Sequence, residues 1–296
     1  MTVSQDKSAI AALHDQSQGR PFRANARRRP SRPSAPPQQA QDDKSMLVLG
    51  HADRHTGKER GFQHGLLDAF ESSGLSTAMR LQNFPSFVRR QDIARFMART
   101  EIFKQILGVN GSIVECGVFA GAGLMTWHHC SAIFEPYNHS RRIFGFDTFE
   151  GFPGLSDEDG QESKHLHVGG LKASDSMQEE LDGIIELHDK NRPLGHIPKA
   201  QLIAGDACQT IPDFVQDNPH VLISLLYLDF DIYAPTKAAL EHLYPRVVRG
   251  GVVAFDELNC PDFPGETVAL MESLDMRRVE LKRFAFDPYI SYFIKD

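Results

Sequence analysis

Short apolar runs that end in acids dominate the hydrophobic pattern of this chain. Val221–Leu228 is continuously apolar apart from Ser224 and stops at Asp229, and Gly251–Phe255 stops at Asp256 and Glu257. Ser112–Val118, Arg142–Phe146 and Gln201–Gly205 repeat the arrangement, with Asp147 and Asp206 closing the second and third. Runs of this length without period-two alternation predict strands buried on both faces, as in a parallel sheet. Ile290–Ile294 is a further strand pattern near the end of the chain.

Between these runs the spacing changes to three and four residues. Leu124–Phe134, Met177–Leu187 and Pro235–Tyr244 are predicted helices, and so are His64–Phe70 and Phe87–Met97, the last continuing through Ile102–Leu107. Alternation of strand and helix predicts an α/β fold, a doubly wound and mostly parallel sheet preceded by N-terminal helices. Residues 151–198 separate two strands by far more than one connection needs. Beyond the helix at 177–187, the remainder, residues 155–174, is polar and acidic and is expected to form a lid over a site.

In such sheets ligands bind beyond the carboxyl ends of the strands, so acids placed there converge on one ligand. Gly117, Gly121 and Gly123 follow the first strand and permit close approach of backbone to a ligand. Asp147 one unit later can accept ribose hydroxyls, and Asp206 can meet the edge of an adenine ring. Asp229, Asp256 and Glu257 together provide the oxygen donors that a hard cation takes. The competing reading for each strand-end Asp is a cap on the next helix.

At these residues the chain resembles the class I S-adenosylmethionine-dependent methyltransferases, and among them the TylF-like macrocin and deoxysugar O-methyltransferases. The resemblance is carried by residues 114–118 (VECGV), 146–153 (FDTFEGFP), 228–236 (LDFDIYAPT), 255–261 (FDELNCP) and 264–266 (PGE). It implies a seven-stranded sheet whose last strand is antiparallel, in a domain spanning residues 111–296. It also implies S-adenosylmethionine held by Glu115, Gly117, Gly121, Asp147, Thr148, Asp206, Ala207 and Asp229, and Mg²⁺ held by Asp229, Asp256 and Glu257. Glu257 departs from the pattern, since several relatives have a second Asp there. The acceptor implied is a sugar hydroxyl on a nucleotide or natural-product scaffold, with Asp229, His167 or His165 as the base. A homo-oligomer, a dimer by default, is expected by the same analogy. Arg89, Arg90, Arg95 and Arg99 are candidates for the methionine carboxylate of the cofactor, because a guanidinium fits a carboxylate with two bonds.

Composition narrows the rest. Of 296 residues 41% are apolar, enough for one α/β core with residues to spare. Residues 1–45 are Arg-, Pro- and Gln-rich and are expected to be a disordered tail, and residues 46–110 a helical extension on the core. The tail carries +4 of a net −7, which leaves the remainder at −11 and argues against nucleic acid as a partner. No apolar run approaches the ~18 residues of a membrane span, and four cysteines without a C-x-x-C pair fit a reducing, cytoplasmic setting. Two rivals stay open: a phenolic or other glycan hydroxyl as acceptor, and a catalytically silent protein of the same fold. A dehydrogenase is weaker, because the glycines after the first strand lack G-x-G-x-x-G spacing.

Overall fold

The computed structural model describes residues 56–160 and 163–296. The expected tail, residues 1–45, lies outside them, as do residues 46–55. Compactness divides the chain at His64/Gly65, and of the first unit only the start of helix α1 (Gly57–Ser72) is described. The rest of α1 and every later element belong to the second unit.

After α1 come the short helix α2 (Thr77–Gln82) and the longer α3 (Arg90–Gln105). Strands and helices then alternate: β1 (Ser112–Cys116), α4 (Ala122–Phe134), β2 (Ile143–Asp147), α5 (Met177–Asp189), β3 (Ala200–Ala204), α6 (Ala207–Asp217), β4 (Ile223–Leu228), α7 (Tyr233–His242), β5 (Val247–Phe255) and α8 (Gly265–Ser273). Strands β6 (Lys282–Arg283) and β7 (Ser291–Ile294) finish the sheet. The strand order is β3-β2-β1-β4-β5-β7-β6. β1 to β5 are parallel, and β7 runs antiparallel to its neighbours β5 and β6. The expected seven-stranded, mostly parallel α/β architecture is therefore observed, with the predicted antiparallel strand in place.

Central strands β1 and β4 are buried along their whole length, which is why their sequences show no alternation. Their two faces feed two apolar clusters. One joins Val114, Phe146, Leu226 and Phe255 to α6, α7 and α8 through Phe214, Leu240 and Leu270. The other joins Ile113, Leu225 and Tyr227 to α3 and α4 through Ile102, Phe103 and Trp127. No helix among the described residues is long and apolar enough to cross a membrane.

Two polar clusters hold the end of the sheet opposite the acid-bearing turns. Arg141, 3% exposed, donates from Nε to both oxygens of Glu135, from Nη1 to Gly111 O and Ser224 Oγ, and from Nη2 to Ile106 O and Val109 O. One guanidinium so ties the end of α3 to the starts of β1 and β4. Nearby, the His128, His129 and His188 rings lie 4.7–6.2 Å apart between α4 and α5. His128 Nε2 is 3.1 Å from Asp189 Oδ1, which also accepts from Arg192. Burial lowers the pKa of His128 against the pull of Asp189, and burial with His188 lowers that of His129. Burial works against ionisation of Asp189, yet Arg192 and His128 hold its pKa low.

Removing the Arg141 side chain strands the Glu135 carboxylate and several carbonyls, so Arg141→Ala should cost about 3–5 kcal/mol, read as a lower urea midpoint. A loss below about 1 kcal/mol would show that these bonds are replaced by water. The histidines give the protein an acid limit. The folded pKa values of His128 and His129 lie below the unfolded value of about 6.5, so the unfolded chain binds more protons and stability falls as pH drops below that value. Thermal midpoints should be flat above about pH 7 and decline toward pH 5.5, less steeply in His129→Gln. Equal slopes in both proteins would remove the histidines as the cause.

Candidate active site

The carboxyl ends of β1 and β4 meet at Gly117. A Cβ on this residue would lie 1.9 Å from the Asp229 carbonyl oxygen, and its φ of +94° suits glycine alone. Gly121, at φ +82°, caps α4, where a Cβ would come 2.3 Å from Leu181 Cδ2 of α5. Gly123 is required by Glu115, whose Oε1 would be 1.9 Å from its Cβ. The three glycines are thus explained by protein packing, and it is this packing that shapes the turn.

Strain gathers in the loops after the strands. Among the described residues six that are not glycine have positive φ, and four of them, Phe119, Phe149, Asp231 and Asn259, sit in the turns after β1, β2, β4 and β5. Each such residue costs on the order of 1–3 kcal/mol and persists only where its surroundings hold it. Carboxylates hold three of them, Phe119, Phe149 and Asp231, while Asn259 N donates to Thr267 Oγ1 at 2.9 Å. Asp147 Oδ2 accepts from Val118 N (2.7 Å) and Phe119 N (2.8 Å), and its Oδ1 from Phe149 N (2.7 Å). Glu266, fully buried, accepts from Asp231 N (3.4 Å) and Glu257 N (3.1 Å), which joins the turns after β4 and β5. Asp159, 1% exposed, accepts from Ser156 N and from Tyr233 N at the start of α7, an approach that Gly265 permits.

That last contact anchors the loop expected to be a lid. Residues 151–176 contain one short 3₁₀ turn, Asp157–Asp159, and no other regular element among those described. Phe152, Leu166 and Leu171 of the loop pack with Ile232 and Phe263 from the turns after β4 and β5. Over β2 the loop bounds a small cleft with Phe119, Asp147, Phe149, Gly151, Lys172 and Met177.

The carboxyl ends of β4 and β5 carry an unusual concentration of charge. Asp256 is 2% exposed. Its Oδ1 accepts from the Tyr227 hydroxyl (2.7 Å) and its Oδ2 from Arg95 of α3. Burial opposes ionisation of Asp256, but Arg95 and Arg99 hold its pKa low. Asp229 goes the other way: burial, then the charge of Asp256, raise it well above the carboxylate range. Burial and the same neighbour push Asp231 to about 7 and Glu257 to about 8. Glu115, on the strand beside, is raised by burial to about 8 with Arg99 the largest opposing influence.

Several expected roles find different partners here. Asp206 is the N-cap of α6, accepting from Cys208 N at 2.9 Å, with Ala207 buried behind it. Thr148 closes the β2 turn, donating to Gly151 O and accepting from Glu150 N. His167 is exposed with Nδ1 3.0 Å from Val168 O, and His165 is half-buried. Neither ring has a hydrogen bond to Asp229, Asp256 or Glu257 among the described residues. The three expected metal ligands have the hard oxygens that Mg²⁺ takes, and Glu257 Oε2 is buried without a partner. Yet no group of three such side chains among the described residues is arranged to hold a metal ion, and Asp256 has both oxygens taken by Tyr227 and Arg95. The set as folded does not fit the cation. Asp159, Tyr227 and the bridging role of Glu266 escaped sequence reasoning. An acid in a polar loop and a Tyr in an apolar strand carry no periodic signal, and Glu266 was legible only as part of a motif.

Comparison with known proteins bears on this site. The mycinamicin III 3''-O-methyltransferase of Micromonospora griseorubida is 24% identical over 159 residues, 52% of this chain and 58% of its own length. The 8-demethyl-8-(2,3-dimethoxy-alpha-L-rhamnosyl)-tetracenomycin-C 4'-O-methyltransferase of Streptomyces olivaceus is 29% identical over 163 residues, 51% of this chain and 54% of its own. The chain thus matches little more than half the length of these curated relatives. A crystal structure of the calicheamicin methyltransferase CalS11 superposes with a TM-score of 0.78 at 32% identity, covering 81% of this chain and 94% of that one. The apo form of that protein, described as a TDP-rhamnose 3'-O-methyltransferase, gives 0.71 at 30% identity, covering 81% and 96%. The model of the macrocin-O-methyltransferase (TylF) family matches residues 88–270, well over half of the chain, and the chain belongs to that family.

Proposed function

We propose that this protein transfers a methyl group from S-adenosylmethionine to a hydroxyl of a deoxysugar carried on a nucleotide or a natural-product scaffold. The observation behind this reading is the meeting of four strand ends: the glycine turn of β1 and Asp147 of β2 lie beside the acids of β4 and β5, beneath one docked loop. The named relatives, which act on mycinamicin III, a rhamnosyl-tetracenomycin-C and TDP-rhamnose, support the choice of acceptor.

In this reading the nucleoside lies along β1 to β3, against Gly117, Gly121 and the remaining acceptor position of Asp147, with Thr148, Asp206 and Ala207 bordering it. The sugar enters between the 151–176 loop and residues 259–266. An oxygen lone pair attacks the methyl carbon in line with the carbon–sulfur bond. The bonding pair returns to sulfur, leaving the thioether, and the hydroxyl proton passes to the Asp229 carboxylate. Holding the two reactants in line is the larger part of such a rate gain. Asp229 suits the role because burial and Asp256 strengthen it as a proton acceptor. No step is routed through magnesium, since Asp256 is already bonded through both oxygens.

Purified protein incubated with S-adenosylmethionine and TDP-rhamnose, or a rhamnosylated aglycone, should yield S-adenosylhomocysteine and a sugar heavier by one methylene. Absence of S-adenosylhomocysteine binding by calorimetry would sink the reading. Asp229→Asn should lower kcat by about 10²–10⁴-fold while S-adenosylhomocysteine still binds. A raised pKa keeps the base protonated at pH values where an ordinary carboxylate is already ionised, so kcat/KM should fall toward acid at a higher pH than the usual carboxylate range. A profile that falls only within the ordinary carboxylate range would take Asp229 out of the proton transfer.

A further inference from the structure

A row of aromatic rings leads from the acid-rich strand ends to the surface. Across the sheet Tyr227 pairs with Ala254, Ala254 with Tyr292 and Tyr292 with Lys282. Paired residues share a face, so Tyr292 stands on the same side as Tyr227, whose hydroxyl reaches Asp256. The Phe284 ring stacks on Tyr292 (5.2 Å, 22°) and the Phe286 ring on Phe284 (5.4 Å, 29°). Tyr292 and Phe284 pack against the apolar cluster that includes α3, whereas Phe286 is 45% exposed. The stack begins in the core and ends in water.

Tyr289 joins this stack to the site. Asp287, 1% exposed, accepts from Tyr289 N and Ile290 N and fixes the turn between Phe286 and β7. The half-buried Tyr289 ring lies 5.7 Å from the guanidinium carbon of Arg95, the residue bonded to Asp256. Burial, then the charge of Glu257, raise the pKa of its hydroxyl. Tyr289 thus borders the turn after β5, along which the acceptor sugar enters in the proposed reaction.

The charge of this wall selects its occupant. Residues 257–266 contain Glu257, Asp262 and Glu266 and neither Lys nor Arg. Arg95 is held by Asp256, Lys172 by Glu150 and Asp175, and Lys282 by Glu280. Arg283, next to Lys282 along β6, projects from the opposite face. The exposed Lys164 of the loop offers one ammonium group. A nucleoside diphosphate would bring like charge to this wall with little to offset it. A flat, uncharged ring system meets no such penalty and extends the stack. A second copy of the chain is disfavoured as occupant, because β6 is a short, basic edge of the kind that discourages strand addition.

We propose that Tyr289, Phe284 and Phe286 bind the aglycone of the acceptor, so that the substrate is a sugar already joined to a flat aromatic scaffold rather than a nucleotide sugar. The assignment rests on the methyltransferase reading and narrows it. Methyl transfer then follows the glycosyl transfer that consumes the nucleotide sugar.

Three acceptors test this: naphthyl α-L-rhamnoside, methyl α-L-rhamnoside and TDP-rhamnose, each with saturating S-adenosylmethionine. The naphthyl glycoside should give the highest kcat/KM, about 10-fold above the methyl glycoside, through a lower KM rather than a higher kcat. Phe286→Ala and Tyr289→Ala should each lose about 3- to 10-fold of that preference, and Phe286→Leu, which keeps apolar area without a ring, should lose less. A higher kcat/KM for TDP-rhamnose, no preference between the glycosides, or a preference unchanged in both alanine variants would overturn the assignment alone. Equal losses on both glycosides would overturn it by showing a structural role. A dimer that becomes a monomer in Phe286→Ala, read by sedimentation, would overturn it by giving the rings to a second copy. Turnover of none of the three by protein that binds S-adenosylhomocysteine would overturn the deoxysugar reading, and this assignment with it.

Discussion

The close passage of β1 beside β4 at Gly117 sets the geometry of everything around the site. Asp229 N donates to Cys116 O at 2.7 Å, and Gly117 lies against the Asp229 carbonyl, so neither strand can shift without the other. This fixes where the first glycine turn leaves the sheet and where the acids of β4 begin. It also brings Glu115 and Tyr227 side by side on the face covered by α3. A side chain at position 117 would separate the strands and with them the two halves of the site.

From that junction outward, the loops are organised by carboxylates rather than by apolar packing. Asp147, Glu266 and Asp159 each accept backbone N–H groups from a segment other than their own, and four residues held at positive φ occupy the same turns. Backbone donors in a turn must be satisfied, and a buried carboxylate offers several acceptor positions at once. Such ties fix loop positions more sharply than a greasy contact can, since hydrogen bonds are directional and dispersion is not. Around them acids crowd a small volume, and burial first, then the charge of Asp256, raises the pKa values of Asp229, Asp231 and Glu257.

The arginines of α3 balance that excess. Arg95 neutralises Asp256 and keeps it ionised, while Arg99 faces Asp229 and Glu115 from within the core. Helix α3 is thereby more than a cover for the apolar face of the sheet. Spaced four residues apart, the two cations project from one side of the helix, and Ile102, Phe103 and Ile106 below them hold it in place.

The five parallel strands, the last strand and the helices α1, α3, α4, α5 and α7 were legible in the amino-acid sequence alone, whereas α2, α6 and α8 were not predicted. Continuous apolar runs can be buried only inside a parallel sheet, and the helix periodicity at 124–134, 177–187 and 235–244 agrees with α4, α5 and α7 to within two residues. The same pattern placed the right acids at the strand ends, because that position depends on where each apolar run stops. The two-residue strand β6 was legible only through the family resemblance, being too short to carry a period. What each acid touches was settled by folding. Asp147 holds a turn, Asp206 caps a helix, and Asp256 is shared between Arg95 and Tyr227, residues 161 and 29 positions away. Such partners depend on how strands align and which helix face turns inward. Charge and spacing along the chain contain neither, so a carboxylate ready for a ligand and one committed to the protein read alike until the chain is folded.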